Sequence, residues 1–447
     1  MFDEKNMKET LINNFLRISK IPRESGHEEK IAEFFVNVAK KNNLHYFKDK
    51  YNNVLIKKKG SIDSEPIALQ AHLDMVCVKS KDSKHDFSKD GIEVIVDGDE
   101  VTAKDTSLGA DQGVGLAMML TIIENKDLKY PDLEFLFTTE EETTFNGAVT
   151  FPYSKVESKR IINLDSGRDD VVFIGSDGDI CNEYCFKGTF IENNMPSYRI
   201  IVDGFPGGNS GDNIDLSENN AITTVAKLLK DKDIFIRGIN GGTFENELAK
   251  CCEVILNTKL DINEIFQGLN AHIEKINNSL SFTKEDTENI LNEILNLKCG
   301  YISKSKSSAN LGCILTLENE IKIKYILRSI NEEELENLNK RSIELKYGFK
   351  VTEMYRDSIW KADKRSLLLH NYQKVYFEEY HIYPKEEIAH GGIECSAINK
   401  RIDELDIISI GASMKNCHTI EEISYISSWT KIYKLLVQFL KMMTNKD

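Results

Sequence analysis

His72 and Asp74 stand two residues apart, so on a strand both side chains face the same side. Glu140, Glu141 and Glu142 form a run, Asp165 closes an apolar segment, Asp111 opens an apolar one, and His418 lies near the C-terminal end. Two imidazoles with several carboxylates make a donor set suited to zinc or manganese. Two such ions held close together would need one shared carboxylate. Taken singly these residues carry little. A lone Asp or His beside a strand is more often a cap or a turn residue, and a Glu triplet is more often a solvated face. Gly109-Ala-Asp-Gln-Gly-Val-Gly115 resembles a phosphate loop but lacks the Gly-Lys-Ser/Thr ending, and that reading is rejected.

The elements that must position these groups raise the odds. Pro66–His72, Leu133–Thr139, Arg160–Asp165 and Asp406–Gly411 are short apolar runs, each followed by a metal-compatible side chain. Such runs, separated by helical stretches, predict buried strands of an α/β sheet. Asp111–Ile123 reads as a crossover helix, 8–20 and Glu28–Lys41 as helices, and Lys364–Tyr380 as a further helical pattern. Ile426, Trp429, Ile432, Leu436, Phe439 and Met443 form one stripe of a C-terminal amphipathic helix. In open α/β sheets ligands bind outside the carboxyl ends of the strands, which would bring the candidate residues to one mouth.

From about Cys181 to Trp360 the pattern changes. Strand-like segments such as Ser197–Val202 alternate with helices rich in Asn, Glu and Lys, and Asp261–Leu297 reads as charged and helical. The expected organisation is a catalytic domain in two parts, 1–180 and 363–447, with a separate α+β domain, 181–362, inserted between them.

The 447 residues suffice to bury a sizeable core without disulfides. A net charge of -15 disfavours nucleic acid and anionic membrane as partners. No run of 18 apolar residues predicts a membrane span, and the N-terminus shows no export signal. The nine scattered cysteines contain no CxxC pair and read as reduced thiols, so a cytoplasmic location is expected.

Gln70-Ala-His-Leu-Asp-Met-Val76, Thr106-Ser-Leu-Gly-Ala-Asp-Gln-Gly-Val-Gly115, Thr139-Glu-Glu-Glu-Thr-Thr-Phe-Asn-Gly-Ala148, Asn163-Leu-Asp-Ser166 and His418 stand in the order found in M20 metallopeptidases. The resemblance is strongest to the aminoacyl-histidine dipeptidase (cytosol non-specific dipeptidase) subgroup. Ile21-Pro-Arg-Glu-Ser-Gly-His-Glu-Glu29, His85-Asp-Phe87 and His390-Gly-Gly-Ile-Glu-Cys395 support it. It implies a mixed-sheet α/β di-zinc peptidase domain with an inserted α+β lid, and hydrolysis of short peptides with two divalent ions, Zn2+ foremost and Mn2+ or Co2+ as alternatives. It also implies roles. His72 and Asp165 would bind one ion, Glu142 and His418 the other, and Asp111 would bridge them. Glu141 would be the general base, chosen over Glu140 by counting back from Asn146-Gly-Ala148. Asp74 would orient the His72 imidazole. In the lid, Asn310 and Arg328 resemble substrate-contacting positions, Arg328 for a terminal carboxylate. Glu394 would meet the substrate's amino group. Some relatives dimerise through the lid, so a homodimer is expected by analogy.

Two positions depart from the family pattern. In Pro206-Gly-Gly-Asn-Ser-Gly211, Asn209 replaces a lid histidine that helps stabilise the oxyanion; an amide can donate there but carries no charge. In Gly241-Gly-Thr-Phe-Glu-Asn246, Glu245 stands where a basic residue is common. Three readings therefore remain open at this point: a dipeptidase, another amide hydrolase such as a tripeptidase or N-acyl amino acid deacylase, and a non-catalytic binding protein on the same fold.

Overall fold

A computed structural model describes residues 4–211, 213–302, 307–344 and 347–443. The chain divides into two compact units. One holds the residues up to Gly175, Trp360–Ile388 and those from Ile393 onward; the other holds Ser176–Ile359 together with the short return Ala389–Gly392.

The apolar runs of the first unit become strands Ile67–His72, Leu133–Thr138, Arg160–Asn163 and Asp406–Ser409. They lie side by side and parallel, in the order Leu133–Thr138, Ile67–His72, Arg160–Asn163, Asp406–Ser409. Antiparallel strands flank them and complete an eight-stranded mixed sheet. Every residue of Ile67–His72 and Leu133–Thr138 is buried, as a parallel sheet covered on both faces requires. Helix Ala110–Glu124 is apolar almost all round and is buried from Gln112 to Ile123, so it runs through the core and not along its surface. The terminal helix Ile426–Met442 turns its predicted stripe inward, and Trp429 meets Phe15 of helix Glu4–Ser19 with ring centroids 4.9 Å apart.

The second unit is built on an antiparallel sheet whose strands follow the order Asn270–Ile276, Ser197–Asp203, Cys252–Thr258, Ile234–Gly241, Ser308–Leu317, Glu320–Ser329, Gly178–Lys187, Lys350–Arg356. Helices Ala221–Leu229, Lys284–Asn296 and Glu332–Glu344 join its core. The stretch Asp261–Leu297, expected to be helical, is broken. It forms strands Asn270–Ile276 and Leu280–Phe282 before the helix Lys284–Asn296 begins. Pairing with Ser197–Asp203 along the whole of Asn270–Ile276 outweighs the local helical pattern there.

Glu293, on that helix, is fully buried, and neither of its carboxyl oxygens has a hydrogen-bond partner among the described residues. Burial pushes its pKa up to about 8 from an ordinary value of 4.5. Between those two values the native chain holds a proton that the unfolded chain has lost. Stability therefore falls as pH rises through this window and levels off above it. Glu293→Gln removes the titration. Its melting temperature is expected to exceed the wild type's by on the order of 5 °C at pH 8, with the gap closing toward pH 4. Parallel Tm–pH curves for the two proteins would contradict this.

Candidate active site

All seven residues expected at the metal centre lie in the first unit, and all but His418 sit at or just beyond the end of a strand or helix of the buried core. His72 closes its strand, Asp74 follows it by two residues, and Asp165 follows Arg160–Asn163 by two. Glu141 and Glu142 lie in the turn after Leu133–Thr138. Asp111 is in the first turn of helix Ala110–Glu124, where it and Gln112 have non-helical backbone angles. His418 reaches the group from a loop, with φ at 64°.

These side chains converge. His72 Nε2 is 3.4 Å from Asp111 Oδ1, and 3.9 Å from both Glu141 Oε2 and Asp165 Oδ2. His418 Nε2 is 3.3 Å from Asp111 Oδ2 and 3.0 Å from Glu142 Oε2. Asp111 thus turns one carboxylate oxygen to each histidine. Among the described residues three groups of three ligand atoms each fall within 4.8 Å: His72/Asp111/Asp165 and Asp111/Glu142/His418, which share Asp111, and His72/Glu141/Glu142.

The electrostatics call for added positive charge. Burial, Asp111 and other neighbouring carboxylates hold Asp165 well above the usual carboxylate range. Burial also raises Glu141, with Glu142, Asp165 and Glu394 adding to the shift against the counter-effect of His72. Glu142 is raised by burial and by Asp111, and its Oε1 is buried without a hydrogen-bond partner among the described residues. Burial opposes the charged form of His418, but Glu142 and Asp111 outweigh it and push the imidazole up to about 12. His72 is likewise raised, against burial, by Asp111, Asp74 and Glu141. Without added cations the raised carboxylates and the raised imidazoles all favour holding protons. Divalent cations would replace those protons, and the donor set of two imidazoles and several carboxylates suits them.

A ring of hydrogen bonds fixes the ligands. Asp74 Oδ1 lies 3.3 Å from His72 Nδ1. The same carboxylate accepts the backbone N–H of Glu141 and of Glu142, both at 3.1 Å, and the Ser25 hydroxyl at 2.8 Å. Glu28 accepts the N–H of Glu140 at 3.0 Å. Three successive amides of the acidic turn are therefore held by carboxylates. Gln112 donates to Asp165. Beneath the ligands, Asn163 donates to Gln70 at 2.6 Å, and Gln70 and Thr138 donate to Glu394 Oε2 at 2.5 and 2.8 Å. Glu394 is completely buried, its Oε1 has no partner among the described residues, and burial raises its pKa to about 7. Glu28, Gln112 and Asn163 had no assigned role from sequence. Their partners lie 53 to 112 residues away, and no local spacing marks such pairs.

The other expected residues lie in the second unit. Arg328 is buried, ion-paired to Asp179 at 3.3 Å, and donates to Ser210 at 2.8 Å. Asn310 is buried with its oxygen accepting from Ser217 and its amide group donating to the carbonyls of Glu245 and Glu247. Asn209 is exposed, and its side-chain oxygen accepts the N–H of Gly211 at 2.7 Å. Glu245, the other departure from the family pattern, pairs with Lys324 at 3.0 Å, which accounts for an acidic residue there.

No family model matches the chain. It is 27% identical, over 96% of both chains, to the cytosol non-specific dipeptidase of Escherichia coli (strain K12). It superposes on the aminoacylhistidine dipeptidase of Vibrio alginolyticus with a TM-score of 0.74 and 25% identity, covering 98% of this chain and 97% of that one. The chain resembles M20 metallopeptidases over nearly its whole length. An M20 family metallo-carboxypeptidase from Sulfolobus solfataricus shares the fold at a TM-score of 0.55 and 15% identity, over 99% and 100% of the two chains. None of the described helices is long and apolar enough to cross a membrane.

Proposed function

We propose that this enzyme hydrolyses dipeptides with two divalent metal ions, Zn2+ foremost. The supporting observation is the Asp111 carboxylate, with one oxygen 3.4 Å from His72 and the other 3.3 Å from His418. In this reading His72 and Asp165 hold one ion, Glu142 and His418 hold the other, and Asp111 is common to both. When bound, the pair supplies the concentrated positive charge that activates a water and polarises the scissile carbonyl.

The chain's own residues do the rest. Asp74 fixes the His72 ring and, through the amides of Glu141 and Glu142, the turn that carries the base. Glu141 takes the proton of the attacking water and returns it to the leaving amine. Arg328 pairs with the substrate's carboxylate, Asn209 donates toward the oxyanion, and Glu394 meets the free amino group. The role of Asn310 rests on family resemblance alone, since its amide is engaged within its own unit. A cytoplasmic location and a homodimer, by analogy with lid-dimerising relatives, complete the reading.

The test is a substrate panel on protein purified with zinc or manganese. Dipeptides, Xaa-His types included, are expected to be cleaved well ahead of tripeptides and acetylated amino acids. Turnover of acetylated amino acids alone would favour a deacylase. Failure to retain any divalent ion would favour a binding protein.

A further inference from the structure

Asp111 can serve two ions only if the turn before it and the loop carrying His418 keep a fixed separation. Residues 108–110 form that turn and open helix Ala110–Glu124, whose N-cap, Gly109, provides no side-chain cap. Its free amides are met from 312 to 314 residues away in the sequence. Glu422 Oε2 accepts the N–H of Leu108 at 2.8 Å and of Gly109 at 3.0 Å, and Oε1 accepts that of Ala110 at 2.8 Å. A carboxylate suits a helix N-terminus both by hydrogen bonding and by charge. Glu422 is only 3% exposed.

The far side of the same turn is held as well. Arg23 donates to the carbonyls of Gly109, Asp74 and Leu73. It thereby ties residues 108–110 to the backbone on which His72 and Asp74 are mounted. Gly109 has φ at +68°, and a Cβ there would stand 2.6 Å from the Arg23 guanidinium, so the grip leaves no room for a side chain. At the other end, the His418 loop is braced internally. Thr419 donates to the Asn416 carbonyl at 2.8 Å, and the Glu422 N–H to the Thr419 carbonyl at 3.3 Å.

We propose that Glu422 is a positioning residue for the metal pair: by binding three successive amides of the Asp111 turn from the end of the His418 loop, it sets the spacing between the shared carboxylate and the second imidazole. This rests on the functional reading above, in which both residues are ligands. Both Glu422 oxygens are engaged by backbone amides, so it acts through the turn it holds. Its effect is on where the ligands stand before any ion arrives.

The test uses the full-length protein stripped of metal and titrated with Zn2+ by calorimetry and with Co2+ by visible absorption. Glu422→Gln is expected to bind on the order of 10- to 100-fold more weakly, the usual effect of losing a residue that orients a ligand. It should also give a changed Co2+ spectrum, and lower kcat on a dipeptide with KM nearly unchanged. Glu134→Gln is the control. Glu134 is equally buried, accepts the amides of Glu157 and Ser158, and pairs with Lys57 in the same unit, away from the ligands. That variant should lose thermal stability while keeping wild-type metal affinity and spectrum. If Glu422→Gln does not fold, Glu422→Asp keeps the charge one methylene short and should show the same losses at smaller amplitude. Wild-type affinity and spectrum in the folded Glu422 variant overturn the proposal. Failure of the wild-type protein itself to bind metal overturns the functional reading beneath it.

Discussion

Glu141→Gln is expected to lower kcat on the order of 10²–10⁴-fold, the usual contribution of a general base, while the metal content of the purified protein stays close to that of wild type. Glu141 Oε2 lies 3.9 Å from His72 Nε2 and stands outside the two ligand groups that share Asp111, but it forms a third group with His72 and Glu142, so metal content is the readout that separates a base from a ligand. Its carboxylate is also raised well above the ordinary range, by burial first and then by Glu142, Asp165 and Glu394. A carboxylate so placed accepts a proton readily. The amide of Gln keeps the size and removes that capacity. Metal analysis beside steady-state kinetics checks the prediction. Retention of full activity would falsify the base assignment, and loss of metal in step with activity would make Glu141 a ligand instead.

Asp111→Asn should have the larger effect, because it removes the group common to both sites. Asn offers one neutral oxygen where the carboxylate presents one oxygen to each histidine, at 3.4 and 3.3 Å. The variant is expected to bind fewer than two ions per chain. It should lose several kcal/mol of transition-state stabilisation, on the order of 10³-fold or more in rate. The change also leaves His72 and His418 without their strongest shared acceptor. Burial then counts more heavily against their charged forms, and both imidazoles should titrate lower in the metal-free variant. Metal stoichiometry gives the first answer and NMR of the imidazole protons the second. Two tightly bound ions in Asp111→Asn would remove the shared-carboxylate arrangement altogether.

The sequence alone determined the parts that depend on neighbours along the chain. Burial on both faces makes Ile67–His72 and Leu133–Thr138 mostly apolar, interrupted by Gln70 and Glu134, and a parallel sheet places the residues at the ends of such runs at one edge. His72, Glu141, Glu142 and Asp165 could therefore be read as one group before their distances were known. Only the tertiary structure decided the rest. The holding of three amides of the acidic turn by Glu28 and Asp74, the network joining Gln70, Asn163, Thr138 and Glu394, and the grip of Arg23 and Glu422 on residues 108–110 all join segments far apart in sequence. A single Glu or Arg in a loop has no periodicity to announce its partner. The same holds for Asn270–Ile276, which pairs with Ser197–Asp203 against its local pattern, and for the return of Ala389–Gly392 to the second unit. Hydrophobic spacing is a short-range signal, whereas a hydrogen bond between distant segments exists only after the chain has folded around it.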